Sequence, residues 1–210
     1  MGLKVCQLCA VDFTLKHFLL PLIDAMRAEK WEVVSICSDG KAIYDLRQQG
    51  YRIVTTFIAR NLNVFSHLVS VWRLYRIFRR ERFDVLHVHT PVAALIGRVA
   101  GRLAGIPLIV YTAHGFYFHD EMPALKRRIF IWLEKIGGSL TDLLFTQSRE
   151  DAEEAIAEQI AHADNVIAIG NGVDASRFMP RSPSERQAIR RSLGIPGDAK
   201  VVGIVGRMVQ

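Results

Sequence analysis

Cysteine is scarce in this chain, with three in 210 residues. An odd, small number builds no disulfide framework and suits a reducing compartment. Cys6 and Cys9 form a lone C-x-x-C inside an apolar, strand-like run. Zinc would need a second pair and a redox motif would need a helix start, so both read as small buried hydrophobes. Long apolar runs are missing too. The longest uncharged stretch, Leu103 to Phe118, is broken by Gly105, Pro107 and Gly115, whereas a membrane span needs about 20 consecutive apolar residues. The N-terminus meets Asp12 before any signal-peptide-like region can form, and Cys6 stands where a myristoylation signal needs Ser or Thr. The expected location is therefore cytoplasmic. No G-x-G-x-x-G follows the first strand, and Gly170-x-Gly172 is too short for a dinucleotide fingerprint.

What is present is a core-forming composition, 50% hydrophobic and 23% charged, which excludes a disordered chain. Basic residues outnumber acidic ones by 27 to 21, and the excess is concentrated. Arg60, Arg73, Arg76, Arg79, Arg80 and Arg82 face Glu81 alone across one stretch that also carries Val64, Phe65, Leu68, Val71, Trp72, Tyr75, Ile77 and Phe78. This is a basic helix with an apolar side. Either it packs that side on a sheet and holds its arginines in water, or it docks on anionic lipid head groups. In the second case Lys126, Arg127 and Arg128, ahead of Ile129, Phe130, Ile131 and Trp132, would assist. The membrane-facing candidates are thus Arg73, Arg76, Arg79, Arg80, Lys126, Arg127 and Arg128. No nucleic-acid motif accompanies the charge, and no nucleic-acid partner is expected.

Apolar, β-branched runs recur at 4–8, 32–37, 52–57, 85–89, 108–112, 143–147, 166–169 and 201–205. Helical periodicity separates most of them: 15–29 with Pro21 in an early turn, 92–104, 124–136 with Pro123 at the first helical position, and a helix capped by Ser148. Alternating strands and helices predict an α/β fold, a doubly wound parallel sheet covered on both faces. Gly97, Gly101 and Gly105 recur at helical spacing beside Arg98 and Arg102, which predicts a helix lying very close to the sheet. Near Pro180 the composition shifts: Pro180-Arg181-Ser182-Pro183 resists regular structure, and a polar helix, a turn and a new strand follow. The reading is a domain over 1–180 and, over 181–210, a linker plus the first strand of a truncated second domain.

Two strand ends carry histidine. Asp84-Val85-Leu86-His87-Val88-His89-Thr90-Pro91 and Ile109-Val110-Tyr111-Thr112-Ala113-His114-Gly115 each break from an apolar run into polar residues. In an open parallel sheet such breaks fall at the carboxyl ends of strands, where ligands collect. His87 and His89 share a strand face and could ligate a metal with His114 or His119, but no spacing fixes a further ligand. No metal is expected. His89 reads better as an acceptor-side hydrogen-bonding group and His87 as a satisfied interior residue. His119, in the loop after Gly115, is either an acceptor contact or a solvated side chain. Asn171-Gly172 is first a tight turn needing positive φ and second a wall of a cleft.

Taken in order, these pieces resemble the GT-B glycosyltransferases of family 4, a retaining group that uses nucleotide sugars. The resemblance rests on Thr14 to Leu22, Asp84 to Pro91, Thr112 to Phe116, Thr141 to Ser148, Gly170 to Asp174 with Phe178, and Gly203 to Arg207. It is strongest to members that extend lipid-linked glycans in bacterial capsule, exopolysaccharide or O-antigen synthesis. The loop after strand one, Val11-Asp12-Phe13-Thr14, lacks the Gly-Gly pair of many relatives, so no glycine-loop phosphate contact is assigned.

The resemblance implies a Rossmann-like acceptor-side domain, with a UDP- or GDP-sugar as co-substrate, no cofactor, and a lipid-linked or saccharide acceptor. It puts His114 beside the transferred sugar and Arg207 against the charge growing on the diphosphate leaving group. Thr14, Lys16, His89, His119 and Asn171 are the substrate-binding candidates. The family's lysine and acidic partners fall beyond Gln210, so the 210-residue chain is expected to be inactive alone. A nucleotide-sugar epimerase of the same fold, or a non-catalytic domain binding membrane or a partner, is the alternative.

Overall fold

The computed structural model describes residues 2–59, 63–119, 121–173 and 175–204. Its chain divides into two compact units, Met1–Gly170 and Asn171–Gln210. The division falls after Gly170, where composition placed it after Pro180.

The first unit is a parallel sheet of seven strands: β1 (Lys4–Leu8), β2 (Glu32–Cys37), β3 (Ile53–Thr55), β4 (Val85–His89), β5 (Leu108–Ala113), β6 (Leu143–Thr146) and β7 (Val166–Ala168). Their order is β3-β2-β1-β4-β5-β6-β7. The connections after β1 and β2 run one way across the sheet and those after β4, β5 and β6 run the other. Right-handed crossovers then place the two sets of helices on opposite faces. The sheet reverses its winding between β1 and β4.

Side-chain alternation sends each strand's residues to two different cores. Cys6, Leu8, Leu86, Val88, Ile109, Tyr111 and Leu144 join Leu74 and Phe78 of α4 (Val64–Glu81), Ala93 to Ala100 of α5 (Pro91–Ala104), Ile131 of α6 (Ala124–Ser139) and Ala155 of α7 (Arg149–Ala157). Opposite them, Cys9, Val33, Cys37 and Ile53 pack on Leu15, Leu19, Ile23, Ile43 and Leu46. The last five come from a helical segment made of α1 (Asp12–Thr14), a π turn (Leu15–Leu19) and α2 (Leu20–Ala28), and from α3 (Ile43–Gln48). All three cysteines are free and buried.

The glycine row of α5 does two jobs. A Cβ at Gly97 would stand 2.3 Å from Leu8 Cδ2, and one at Gly101 2.6 Å from Leu86 Cδ2, so the helix axis sits tightly on β1 and β4. Gly105 instead ends the helix in the left-handed conformation, φ 76°. Ser148 caps α7 by accepting the Asp151 N–H at 2.9 Å. The two helix-start prolines differ in outcome. Pro21 stands in an early turn, as the second residue of α2. Proline has no N–H to donate and its ring crowds the carbonyl four residues back, and the chain widens into a π turn just ahead of it. Pro123 is the residue before the first helical one, with extended backbone, φ −51° and ψ 130°.

In the second unit, α8 (Pro183–Ser192) starts with a capping box between Ser182 and Glu185. The strand expected over 201–205 is not formed by its described part. Residues 201–204 make no strand pairing, and Val202 and Ile204 are 99% and 94% exposed. A β-strand exists only through the ladder it shares with a neighbour, and none of the described residues supplies one.

Candidate functional site

Open α/β sheets bind ligands at the carboxyl edge, where the winding reverses. Here that place lies between β1 and β4, and the register puts Gln7 opposite His87 and His89 opposite Thr112. Alternation leaves Gln7, His87, His89 and Thr112 on one face, all buried. The apolar helices of that face cover the β1–β2 half, so the row falls where the apolar cover runs out. Polar groups so buried must find partners inside the protein.

They find one another. Thr112 Oγ1 lies 2.7 Å from His87 Nε2, and Gln7 Nε2 lies 3.3 Å from His87 Nδ1. Gln7 Oε1 lies 2.8 Å from His89 Nε2, and His89 Nδ1 lies 3.3 Å from His114 Nε2. His114 Nδ1 then meets Gln147 Nε2 at 2.6 Å at the surface. Six side chains from β1, β4, β5 and the two loops beyond β5 and β6 thus form one unbroken chain that emerges at the carboxyl edge.

Near neutral pH, burial favours the neutral form of each imidazole in it. Burial pushes the His87 pKa down to about 3, and proximity to His114 adds to the fall. His89 is held well below the ordinary histidine value by burial, then by His87 and His114. Burial also lowers His114, while the Gln147 contact acts the other way. A neutral imidazole can donate one hydrogen bond and accept one, but it brings no charge to an anionic leaving group.

The backbone around the chain is constrained. Thr90, a β-branched residue directly after His89, sits at φ 66°, an outlier for its type. Its hydroxyl donates to the His89 carbonyl at 2.5 Å and accepts the Ala10 N–H at 3.3 Å, tying the end of β4 to that of β1. Gly115, at φ 97°, turns the chain immediately past His114. Phe18, in the π turn, stands with its ring centroid 6.3 Å from that of His114 and is 58% exposed.

The other sequence candidates are scattered. Thr14 is half-buried at the end of α1, and Lys16 is exposed in the π turn. His119 is exposed, and its carbonyl closes a turn with the Met122 N–H. Asn171 is exposed in the second unit, and the positive φ expected of Asn171-Gly172 falls on Gly170 instead, at 70°. Arg207 lies outside the described residues, as does Arg60. His87, His89 and His114 do not converge as metal ligands, because each spends its nitrogens on a neighbour. No cluster of three ligating side chains occurs among the described residues.

Sequence reading missed Gln7 and Gln147. Gln7 did leave a signal: an amide amid the apolar residues of a central strand needs buried partners.

The basic candidates divide. Arg73, Arg76, Arg79, Arg80, Lys126 and Arg128 are exposed. Arg127 turns inward instead, pairing with Glu154 at 3.3 Å and Glu158 at 3.0 Å and lying over the Phe118 ring. The acidic face of α7 captures it. Beside the exposed cations stand exposed apolar side chains, Phe65, Leu68 and Trp72 on α4 and Leu125, Ile129 and Trp132 on α6. Both helices begin at the carboxyl edge, so these residues lie toward the His114 end of the sheet. No described helix is long and apolar enough to cross a membrane.

Comparison with known proteins agrees with this architecture. Residues 17–177 match the model of Glycosyltransferase Family 4. The chain is 28% identical over 181 residues to the Escherichia coli UDP-Gal:alpha-D-GlcNAc-diphosphoundecaprenol alpha-1,3-galactosyltransferase, covering 86% of this chain and 46% of that protein. It thus spans about half the length of the curated relatives it matches. Its fold is that of Anabaena Alr3699/HepE, solved with UDP and glucose (TM-score 0.65, 19% identity, 92% of this chain and 50% of that one). A UDP-N-acetylglucosamine 2-epimerase from Rickettsia bellii also shares it (TM-score 0.63, 18% identity, 93% and 52%). With most of its first unit matched by the family model, the chain belongs to Glycosyltransferase Family 4.

Proposed function

We propose that this chain is the acceptor-side half of a retaining glycosyltransferase of bacterial surface polysaccharide synthesis. The enzyme moves a sugar from a UDP- or GDP-sugar to a lipid-linked or saccharide acceptor. The observation that carries the reading is the exposed His114 at the carboxyl edge, backed by a buried hydrogen-bond chain at the point where the winding reverses.

His114 orients a hydroxyl of the transferred sugar as a neutral hydrogen-bonding group. Because it is neutral, the charge on the departing diphosphate falls to Arg207, a preorganised electrostatic role that needs no metal or cofactor. The bond from the anomeric carbon to the diphosphate breaks as the acceptor oxygen bonds that carbon on the same face, and the acceptor hydroxyl proton passes to the departing diphosphate, so the anomeric configuration is retained without a covalent intermediate. Thr14 and Lys16, on the helical segment at that edge, and His119 and Asn171 are the acceptor-side contacts.

A lipid-linked acceptor also gives the exposed side chains of α4 and α6 a use. Apolar residues toward the His114 end and cations alongside suit an anionic membrane surface. The named acceptor of the E. coli relative, a diphosphoundecaprenol, supports that choice.

The test is sugar transfer by the full-length protein to a polyprenyl-diphosphate-linked acceptor. His114→Ala is expected to lower turnover about a hundredfold while the protein stays folded; unchanged turnover refutes its role. Conversion of the nucleotide sugar without any acceptor would establish the epimerase reading instead. Co-sedimentation with phosphatidylglycerol vesicles, weakened by salt and by Trp72→Ser, tests the membrane surface. Equal binding to neutral vesicles would refute the anionic preference.

A further inference from the structure

We infer that the buried chain fixes the tautomer of His114, so that its proton resides on Nε2 and its outward Nδ1 is a hydrogen-bond acceptor, with Gln7 and His89 as positioning residues. The inference rests on the reading that His114 faces substrate, but its geometry does not.

The argument starts at Gln7, the one member with a third contact. Its Nε2 lies 3.3 Å from Met26 Sδ as well as 3.3 Å from His87 Nδ1. An amide nitrogen has two N–H groups, and a thioether and an imidazole lone pair are both acceptors. Turning the amide over would set its oxygen against the sulfur, with no hydrogen between them. The orientation is therefore fixed by chemistry, and every other proton follows. His87 Nδ1 accepts from Gln7, so His87 carries its proton on Nε2 and donates to Thr112 Oγ1. Gln7 Oε1 can only accept, so His89 must donate from Nε2 and keep Nδ1 bare. A bare His89 Nδ1 demands a donor, and the His114 Nε2 that faces it must carry the proton. His114 Nδ1 is left with a lone pair directed at the surface, where Gln147 Nε2 donates to it.

Two consequences follow for the ligand. The group His114 Nδ1 recognises is a donor, such as a sugar hydroxyl, and not the oxygen of a phosphate or carboxylate. Gln147 is the surface partner, so an incoming hydroxyl either takes its place or shares the nitrogen with it. Gln7 never touches the ligand. It acts through His89, and its conversion to an acceptor-only side chain changes the interior of the chain first.

The experiment is two-bond 1H–15N correlation on the 15N-labelled chain near neutral pH, which separates protonated from bare imidazole nitrogens. The expected result is a bare Nδ1 and a protonated Nε2 for His114, His89 and His87 alike. A protonated Nδ1 on His114, or a rapid mixture of tautomers, overturns the inference.

Gln7→Glu provides the second arm, because its carboxylate accepts from both neighbours. It should move the His87 proton onto Nδ1, or add one there, while His89 and His114 keep theirs on Nε2. An unchanged His87 spectrum in folded Gln7→Glu also overturns it. In the full-length protein, His89→Leu should release the His114 tautomer and lower kcat more than it raises KM. If the tautomers are as expected but His114→Ala leaves turnover intact, the functional reading fails and this one stands.

Discussion

Lowering the pH should unfold this domain through its two buried histidines, and the loss can be worked from their burial. His87 keeps a pKa of about 3 in the folded chain against 6.5 for a free imidazole, and His89 is likewise held well below that value. Between those limits the unfolded chain binds protons that the folded chain refuses, so stability rises with pH and is lost as pH falls from about 6.5. At about pH 5 the loss per histidine is set by the unfolded value alone, because the folded chain stays unprotonated there. One and a half pH units at about 1.36 kcal/mol each give about 2 kcal/mol for His87, and His89 adds to the loss in the same direction. That is a large share of the roughly 5–15 kcal/mol that holds a domain folded.

The groups facing the pair are Gln7, Thr112, His114 and the Phe145 ring, none of them an anion that could offset protonation. Glu81, whose pKa lies below the ordinary carboxylate value despite the opposing effect of burial, is held there by Lys4 and Arg52 and titrates beneath this window. Urea unfolding at about pH 8 and pH 5 checks the figure. His87→Leu should remove about 2 kcal/mol of the pH difference, whatever it does to stability itself. A wild-type difference below about 1 kcal/mol would refute the reasoning, since two neutral buried imidazoles cannot titrate for so little.

Two further outcomes concern the seat of α5 and α6. Arg98 is fully buried, reaching Glu134 at 3.2 Å, Thr141 at 3.3 Å and the Ala94 carbonyl at 3.1 Å, with the Tyr111 ring 4.3 Å away. Arg98→Met strands the Glu134 carboxylate and should cost about 3–5 kcal/mol by chemical denaturation. Adding Glu134→Leu should recover much of that loss, because the pair rather than either charge is what burial tolerates. Gly138→Ala should destabilise by about 2 kcal/mol in thermal melts, since its Cβ would enter the Ile160 carbonyl and the gain in helix propensity is only about 1 kcal/mol.

The sequence determined the strand–helix alternation, because a period of two and one of 3.6 are written in the spacing of apolar residues. It also determined that β4 and β5 end in histidine, the close seat of α5 through Gly97 and Gly101, and the family. Local punctuation was legible for the same reason: Ser148 acts on its own helix, without help from elsewhere. The eighth apolar run shows the limit. Val201 to Ile204 have strand composition, but a strand is a relation between two segments.

Tertiary structure alone decided which histidines meet. Gln7 lies far from His87 in sequence and becomes its neighbour only because β1 and β4 pair where the winding reverses. Gln147 reaches His114 only because β6 is laid beside β5. It likewise turned Arg127 from a membrane candidate into a partner of α7, since no local pattern tells which of three consecutive cations a neighbouring helix will capture. Spacing along the chain fixes which face a residue shares, but proton positions depend on contacts between strands, and those exist only once the sheet has closed.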